Sequence, residues 1–589
     1  MALGTDRNNE EASTNASSSE HSREADAPEL SHLAESSPIN PPVAISSTCS
    51  GASVFLTITS LCFSCTLSAL DLTIVTTAVP TIVSSFQSVA GYIWIGSAYI
   101  LTYTAVTPIW GSVANIWGRK PTILISLEIF LAGSLLCALA PRMEALIAGR
   151  AIQGLGGSGM GIMANIIISD MFSLRERGLY LAIVSIVWAV GSAAGPVLGG
   201  VFTTRLSWRW CFWINFPVGA IVFIVLLFCL EVPTTNTPVL AGLKAIDWVG
   251  SALVVGGALI LLLGLEFGNV VVPWSSATVL CLTIFGIAAI AIFLVSEWKF
   301  ARNPIIPLRL FSKPSSAAAY SVFACNAYVF IGVAYYLPLY TQSVLNANAL
   351  ISGVYLLPLI VSCSLAAAFA GIFMQQTGKY LPVMYAAQVV LTLGIGLFID
   401  LDLEENLTKL FIFEILLGIG VGMNIEAPII AAQAATTVRD TAVVTATMGF
   451  LRSIATSISI VVGGVIFQNE MDARNSSLVA QIGQRLANRF TGDNSMVNVN
   501  LIGTMPTSKQ IFVRQAYFES LRKVWIMYVA FAGMALILNI FVRSHRLRKE
   551  REGVVLGVDR EKVDSSQIEN RPDSEAIRLA EINDHPPQV

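Results

Sequence analysis

The sequence predicts an all-α protein that crosses a lipid bilayer fourteen times, as two six-helix bundles with two further helices inserted between them. Three observations carry this expectation. Hydrophobic residues make up 54% of the 589 and charged ones only 12%, with a mean hydropathy of +0.68, a balance that a water-exposed surface cannot sustain. Apolar runs of about 20 residues, long enough for a ~30 Å hydrocarbon core, recur between short polar breaks. A pattern of two glycines seven apart followed by a cation occurs twice, which points to an internal repeat.

Residues 1–46 hold eight acidic and two basic side chains among Ser, Asn and Pro. Such a segment buries too little to fold and is expected to be a disordered cytosolic tail, with no apolar run suited to a signal peptide. A first bundle is expected over 47–233, with spans at 54–80, 92–114, 121–140, 144–169, 179–202 and 211–231. Two linker spans, 246–265 and 277–297, fall in 234–312. The second bundle, 313–545, carries spans at 317–340, 351–374, 382–401, 408–433, 442–466 and 524–542. Within it, 467–523 is a long outside connection in which Leu478, Ile482, Leu486 and Phe490 predict a short amphipathic helix lying on the outer face. Residues 546–589 are polar again and are expected to form a second disordered cytosolic tail.

Placing the amino terminus in the cytosol puts eleven Lys/Arg in the short inside connections, among them Arg119, Lys120, Arg302, Arg309, Lys379 and Arg439. The outside connections hold four, Arg142, Arg205, Arg209 and Lys409, so the positive-inside rule supports this orientation. The triplets Asn406-Leu-Thr and Asn475-Ser-Ser fall outside and are glycosylation candidates.

A net charge of -3 gives no reason to expect nucleic acid as a partner. Most of the nine cysteines sit in apolar runs as small hydrophobes, and Cys62-x-x-Cys65 lies within one such helix, without polar neighbours. The histidines, His21, His32, His545 and His585, all belong to or border the tails, which leaves none for a metal cluster or a nucleophile's base inside the membrane. No phosphate-binding G-x-x-x-x-G-K-[ST] motif occurs, so ATP is not the direct energy source. No enzyme activity, metal or cofactor is expected.

Several motifs stand in order along the chain. Leu70-Asp-Leu-Thr-Ile-Val-Thr-Thr-Ala-Val-Pro80 ends the first span, and Gly111 to Pro121 follows the second. Arg150-Ala-Ile-Gln-Gly154 and Gly191-Ser-Ala-Ala-Gly-Pro-Val-Leu-Gly-Gly200 lie in the fourth and fifth; Trp208 to Pro217 and Tyr335-Tyr-Leu-Pro-Leu-Tyr340 come later. Gly111…Gly118-Arg119 is echoed by Gly371…Gly378-Lys379. Over residues 54 to 542 the chain resembles the major facilitator superfamily, specifically its fourteen-span drug:proton antiporter branch as found in fungi.

Asp71 and Arg150 are charges inside spans, each costing about 2.5–3.5 kcal/mol to insert, so each is expected to face the bundle interior with a partner. Their depths, roughly 13 and 9 Å from the outer ends, allow them to meet. A guanidinium beside Asp71 favours the ionised acid, and separation favours proton uptake; a static pair tying two helices is the structural alternative. The resemblance implies a role in proton coupling for Arg150 and extends it to Gln153 of the same motif. Glu426 and Arg452 could bridge similarly in the second half.

In the loop motif, Gly111 and Gly118 permit a tight turn and close helix approach, while Arg119 and Lys120 can bond helix carboxyl ends. Asn115 stands where the family has aspartate and Ile116 where it has arginine, which weakens an electrostatic latch. Gly191, Gly195 and Gly199 share one helix face beside Pro196, with Gly200 completing the antiporter pattern. Tyr335 and Tyr336, with Tyr328, Phe330 and Tyr340, could wall a cavity for a flat or amphipathic ligand.

The resemblance implies a secondary active exporter of small hydrophobic or amphipathic compounds, such as drugs, toxins or secondary metabolites. It is expected to act as a monomer in the cell membrane or, alternatively, the vacuolar membrane. A carrier of basic amino acids or iron chelates and a non-transporting sensor are the competing functions. The only two cavity carboxylates identified, Asp71 and Glu426, both pairable, lean away from cationic cargo.

Overall fold

The computed structural model describes residues 51–87, 91–232, 237–268, 272–301, 303–437, 440–491 and 494–547. The expected amino-terminal tail, nearly all of the carboxyl-terminal one, and Arg302 and Arg439 lie outside these residues.

In lipid a backbone must satisfy its own hydrogen bonds, so each apolar run closes into a helix. Thirteen of the described helices are long and apolar enough to span a membrane. In order they begin with α1 (Gly51–Ile74), and the fourteenth long helix, α2 (Gly91–Trp117), comes next. With 27 residues α2 reaches about 40 Å; its Thr, Trp and Tyr residues and Pro108 dilute its hydropathy. There follow α3 (Arg119–Leu139), α4 (Met143–Met171), α5 (Leu174–Arg205) and α6 (Asn215–Cys229). The inserted pair is α7 (Trp248–Phe267) and α8 (Ala277–Lys299). The second set is α9 (Pro314–Ser343), α10 (Leu357–Thr377), α11 (Leu381–Leu397), α12 (Leu407–Ala434), α13 (Thr441–Ala473) and α14 (Thr507–Asn539).

The packing repeats with an offset of eight helices. In the first half α3 packs on α4, α2 on α4 and α1 on α5; in the second α11 packs on α12, α10 on α12 and α9 on α13. The halves meet through α2 against α13 and α5 against α10, which are counterparts under the same offset. The two loop glycines sit at these seams. A Cβ on Gly111 would come within 2.7 Å of Ala446 Cβ, and one on Gly371 within 2.7 Å of Gly178 O. The chain leaves both motifs through glycines at positive φ, Gly118 at 95° and Gly378 at 70°, where a side chain would be strained. Helices α7 and α8 pack on each other, and α7 also touches α2 and α13.

Three expectations about the spans need correction. The first helix stops at Ile74, because a turn and Pro80 start a separate short helix, Val79–Phe86. The long connection is mostly helical: α13 runs on to Ala473 and α14 already begins at Thr507. Its apolar stripe is not one helix on an outer face. Gly483, at φ 87°, breaks it into Asn475–Ile482 and Gln484–Ala487, and Leu478, Ile482 and Phe490 bury themselves in the core around Tyr517 of α14.

Candidate functional site

The first half encloses a polar cluster that four helices build. Asp71 on α1, Arg150 and Gln153 on α4, Ser134 on α3 and Asn215 at the start of α6 are all fully buried. Arg150 Nη1 donates to Asp71 Oδ2 in a short ion pair. Gln153 Nε2 and Asn215 Nδ2 each donate to Asp71 Oδ1 at 3.0 Å. Gln153 Oε1 in turn accepts from Arg150 Nη1 at 2.9 Å, and Ser134 Oγ accepts from Gln153 and Asn215. Arg150 Nε donates to Ile95 O at 3.0 Å, and its guanidinium lies 4.6 Å from the Tyr99 ring centroid. Both carboxylate oxygens are thus compensated, as a charge removed from water requires.

Helix α5 holds α1 against this cluster. Cβ atoms on Gly191, Gly195 and Gly199 would come within 3.1 Å of Thr66 O, 1.9 Å of Thr73 Oγ1 and 2.0 Å of Ile74 O. Thr77 Oγ1 donates to Pro196 O at 3.3 Å, whereas Gly200 faces open space. The Gly191 to Gly200 motif therefore works here as a bare track on which the Asp71 helix lies, with Gly200 outside it.

At the seam end, Arg119 is buried and forms an ion pair with Asp170, the penultimate residue of α4, at 2.5 Å. It also donates to Ala114 O at 2.9 Å, at the end of α2, and to Asn115 Oδ1 at 3.0 Å. Asn115 accepts from Arg119 as an amide, and the carboxylate that pairs with Arg119 is Asp170, which the loop motif does not contain. Lys120 is half-buried. The halves are closed on each other by Arg175, which donates to Gln375 O at 2.5 Å and to Gln376 O at the end of α10. Arg177 donates to Gln433 Oε1 at 3.2 Å, and Gln433 Nε2 reaches Ser169 and Thr445 at 3.0 Å.

Glu426 and Arg452 do not form the expected ion pair in this conformation. Glu426 is buried and accepts from Ser185 Oγ of α5 at 2.5 Å, a bond between the halves, while Arg452 is exposed. Nor do the tyrosines of α9 form one wall. Tyr336 is buried inside the second half, donating to Ile460 O, Tyr328 stacks on Phe531, and Tyr340 donates to Asp402 O at 2.7 Å. Tyr335, 50% exposed, faces outward from that core. Of the sequons, Asn406 is exposed and caps α12 through Lys409 N at 3.0 Å, and Asn475 is half-buried with its amide oxygen enclosed. No group of three or more metal-ligating side chains gathers among the described residues.

A family model described as Major Facilitator Superfamily matches residues 61–460, a stretch that contains both loop glycines, the Asp71–Arg150 pair and the glycine track. The chain belongs to this superfamily. Among its relatives in the superfamily is "Efflux pump dotC" of Dothistroma septosporum, 44% identical over 84% of this chain and 85% of its own length. "MFS-type transporter ppz2" of Metarhizium majus is 42% identical over 86% and 87%, and "Efflux pump FUS6" of Gibberella fujikuroi 32% identical over 88% and 94%. Membership in the superfamily makes this a multi-pass membrane carrier of small molecules rather than an enzyme. Ser134 and Asn215 in the cluster, and Asp170 at the seam end, are the residues that sequence reasoning passed over. Asn215 alone had a signal, its place in the Trp208 to Pro217 motif.

Proposed function

We propose that the protein exports small hydrophobic or amphipathic organic compounds, such as drugs, toxins or secondary metabolites, from the cell in exchange for protons. The observation that carries this reading is the Asp71–Arg150 pair, sealed from water and held by Gln153 and Asn215. While α1 and α4 stay in register, Arg150 supplies the counter-charge to Asp71. A rocking motion that parts them leaves a carboxylate without its counter-charge, and water reaching it delivers a proton. Cargo drives such a motion only by binding one arrangement more tightly than the other. The efflux names of the relatives support the outward direction, and the Lys/Arg asymmetry supports placing the Arg175 seam in the cytosol.

The test is accumulation of a compound panel in a deletion strain with and without the restored gene, and with Arg150→Ala as control. Restored cells are expected to accumulate less of at least one compound, and collapsing the proton gradient to abolish the difference. Equal accumulation for every compound sinks export; export that survives the collapse sinks proton coupling.

A further inference from the structure

The eight-helix offset pairs α4 with α12, and the pairing holds residue by residue. Arg150 and Glu414 each lie eight residues beyond the N-cap of their helix, Arg142 and Asn406. Four residues on, a Cβ on Gly154 would lie 2.3 Å from Tyr99 O and 2.2 Å from Thr102 Oγ1. Its counterpart on Gly418 would lie 2.6 Å from Leu359 O and 2.0 Å from Ser362 Oγ. Two further on, Gly156 and Gly420 press on Phe130 N and Leu391 N, each at 2.4 Å. Glu414 therefore occupies in the second half the position that Arg150 occupies in the first.

The chemistry at that position is inverted. Glu414 is fully buried, and neither of its oxygens has a hydrogen-bond partner. Its nearest backbone donor is the Leu359 N–H, close without completing a bond. That N–H belongs to the first turn of α10, where Pro358 separates α10 from the short helix Ala349–Tyr355. The titratable and charged groups on the elements packed against α12 are Tyr355 and Cys363 before and in α10, Tyr320, Cys325, Tyr328, Tyr335, Tyr336 and Tyr340 of α9, Tyr385 of α11, Arg452, Glu470 and Asp472 of α13, and Arg175, Glu176, Arg177, Tyr180 and Arg205 of α5. Lys409 and Glu426 share its helix. None of them bonds to Glu414; Lys409 pairs instead with Asp400 and Asp402. An acid enclosed in the core with no cation beside it and no completed hydrogen bond is carried in its neutral form.

We propose that Glu414 is a second proton-binding site, loaded when the halves are closed at the Arg175 seam and discharged when α10 swings away from α12 and admits water. The proposal rests on the proton-exchange reading above and adds a site to it. The step is a simple dissociation: the carboxyl O–H breaks, water takes the proton, and the carboxylate keeps the electron pair. On this account the closed conformation holds one acid paired with a cation, Asp71, and one acid without one, Glu414.

The proton itself serves as the probe, so no cargo is needed. Infrared difference spectra of the purified full-length protein in lipid nanodiscs, taken between acidic and alkaline buffer, are expected to show loss of a protonated-carboxyl band. That band is expected to be absent from Glu414→Gln and retained, shifted, in Glu414→Asp. A pH-indicator dye should count about one proton fewer per chain in Glu414→Gln than in the wild type. Glutamine fills the same volume, and an unchanged melting temperature establishes that this variant folds. A band and a proton count unaltered in folded Glu414→Gln overturn the proposal. Because neither readout involves flux, they stand apart from the accumulation assay that tests proton-driven export.

Discussion

Removing the guanidinium of Arg150 strands a carboxylate that has no exposure to water at all. Arg150→Ala is therefore expected to cost about 3–5 kcal/mol of stability, the usual penalty for breaking a buried pair from one side, and to abolish transport; thermal unfolding in detergent and compound accumulation read the two effects. Asp71→Asn leaves an oxygen to accept from Gln153 and Asn215 but turns its NH2 onto a guanidinium that has lost its counter-charge, so it too should lose about 3–5 kcal/mol of stability. In the fraction that folds, the pH dependence of efflux should flatten, whereas an unaltered profile confines Asp71 to holding helices together. At this scale the sequence was informative about charges in apolar runs, since insertion cost alone demanded partners for Asp71 and Arg150. It was uninformative about Ser134, because a neutral polar residue in a span costs little and carries no address, and it marked Asn215 only by its place in the Trp208 to Pro217 motif. Glu414 escaped notice beside Lys409 near the helix end, where only the packing reveals that it is enclosed.

Helix contacts set the next scale, and the glycine track of α5 is the sharpest case. Gly195→Ala places a methyl 1.9 Å from Thr73 Oγ1 and forces α1 and α5 apart; we expect a loss of about 1–3 kcal/mol from overpacking together with impaired efflux. Gly200→Ala, with nothing within 4 Å, is expected to leave melting temperature and efflux unchanged, so the pair of variants separates packing from helix propensity. The glycine spacing made this face legible in advance. The α9 tyrosines show the opposite: a helix buried on most sides gives no periodic sign of which face meets its own half, and four of five aromatic side chains turned inward. The long connection misled for a similar reason, since amphipathicity states that a stripe is covered but not by what; here α14 extends to cover it.

Across the whole molecule the Arg175 seam is a contact that favours the closed conformation. Its guanidinium caps carbonyls of α10 from the other half, a charged-donor contact of about 1.5–3 kcal/mol, and about 1.4 kcal/mol shifts a two-state balance tenfold. Arg175→Gln should lengthen the distance distribution between spin labels at positions 120 and 379, measured by pulsed electron resonance; an unchanged distribution would mean the seam holds without it. The repeat, and so the bundle plan, was readable from two glycine motifs, while the seam's cross-half partners were not, because they join residues about 200 apart in the chain. The inserted helices make the two seams unequal. On one side α7 and α8 lie over α2 and α13, with Val254, Ala258 and Phe293 clustered against Ala105 and Phe450. On the other side α5 and α10 present Val190, Val197, Leu365 and Phe369 openly. A greasy solute dissolved in the surrounding acyl chains thus meets a shuttered flank and an unshuttered one, and a membrane-anchored photoreactive probe should mark α5 and α10 while sparing α2 and α13.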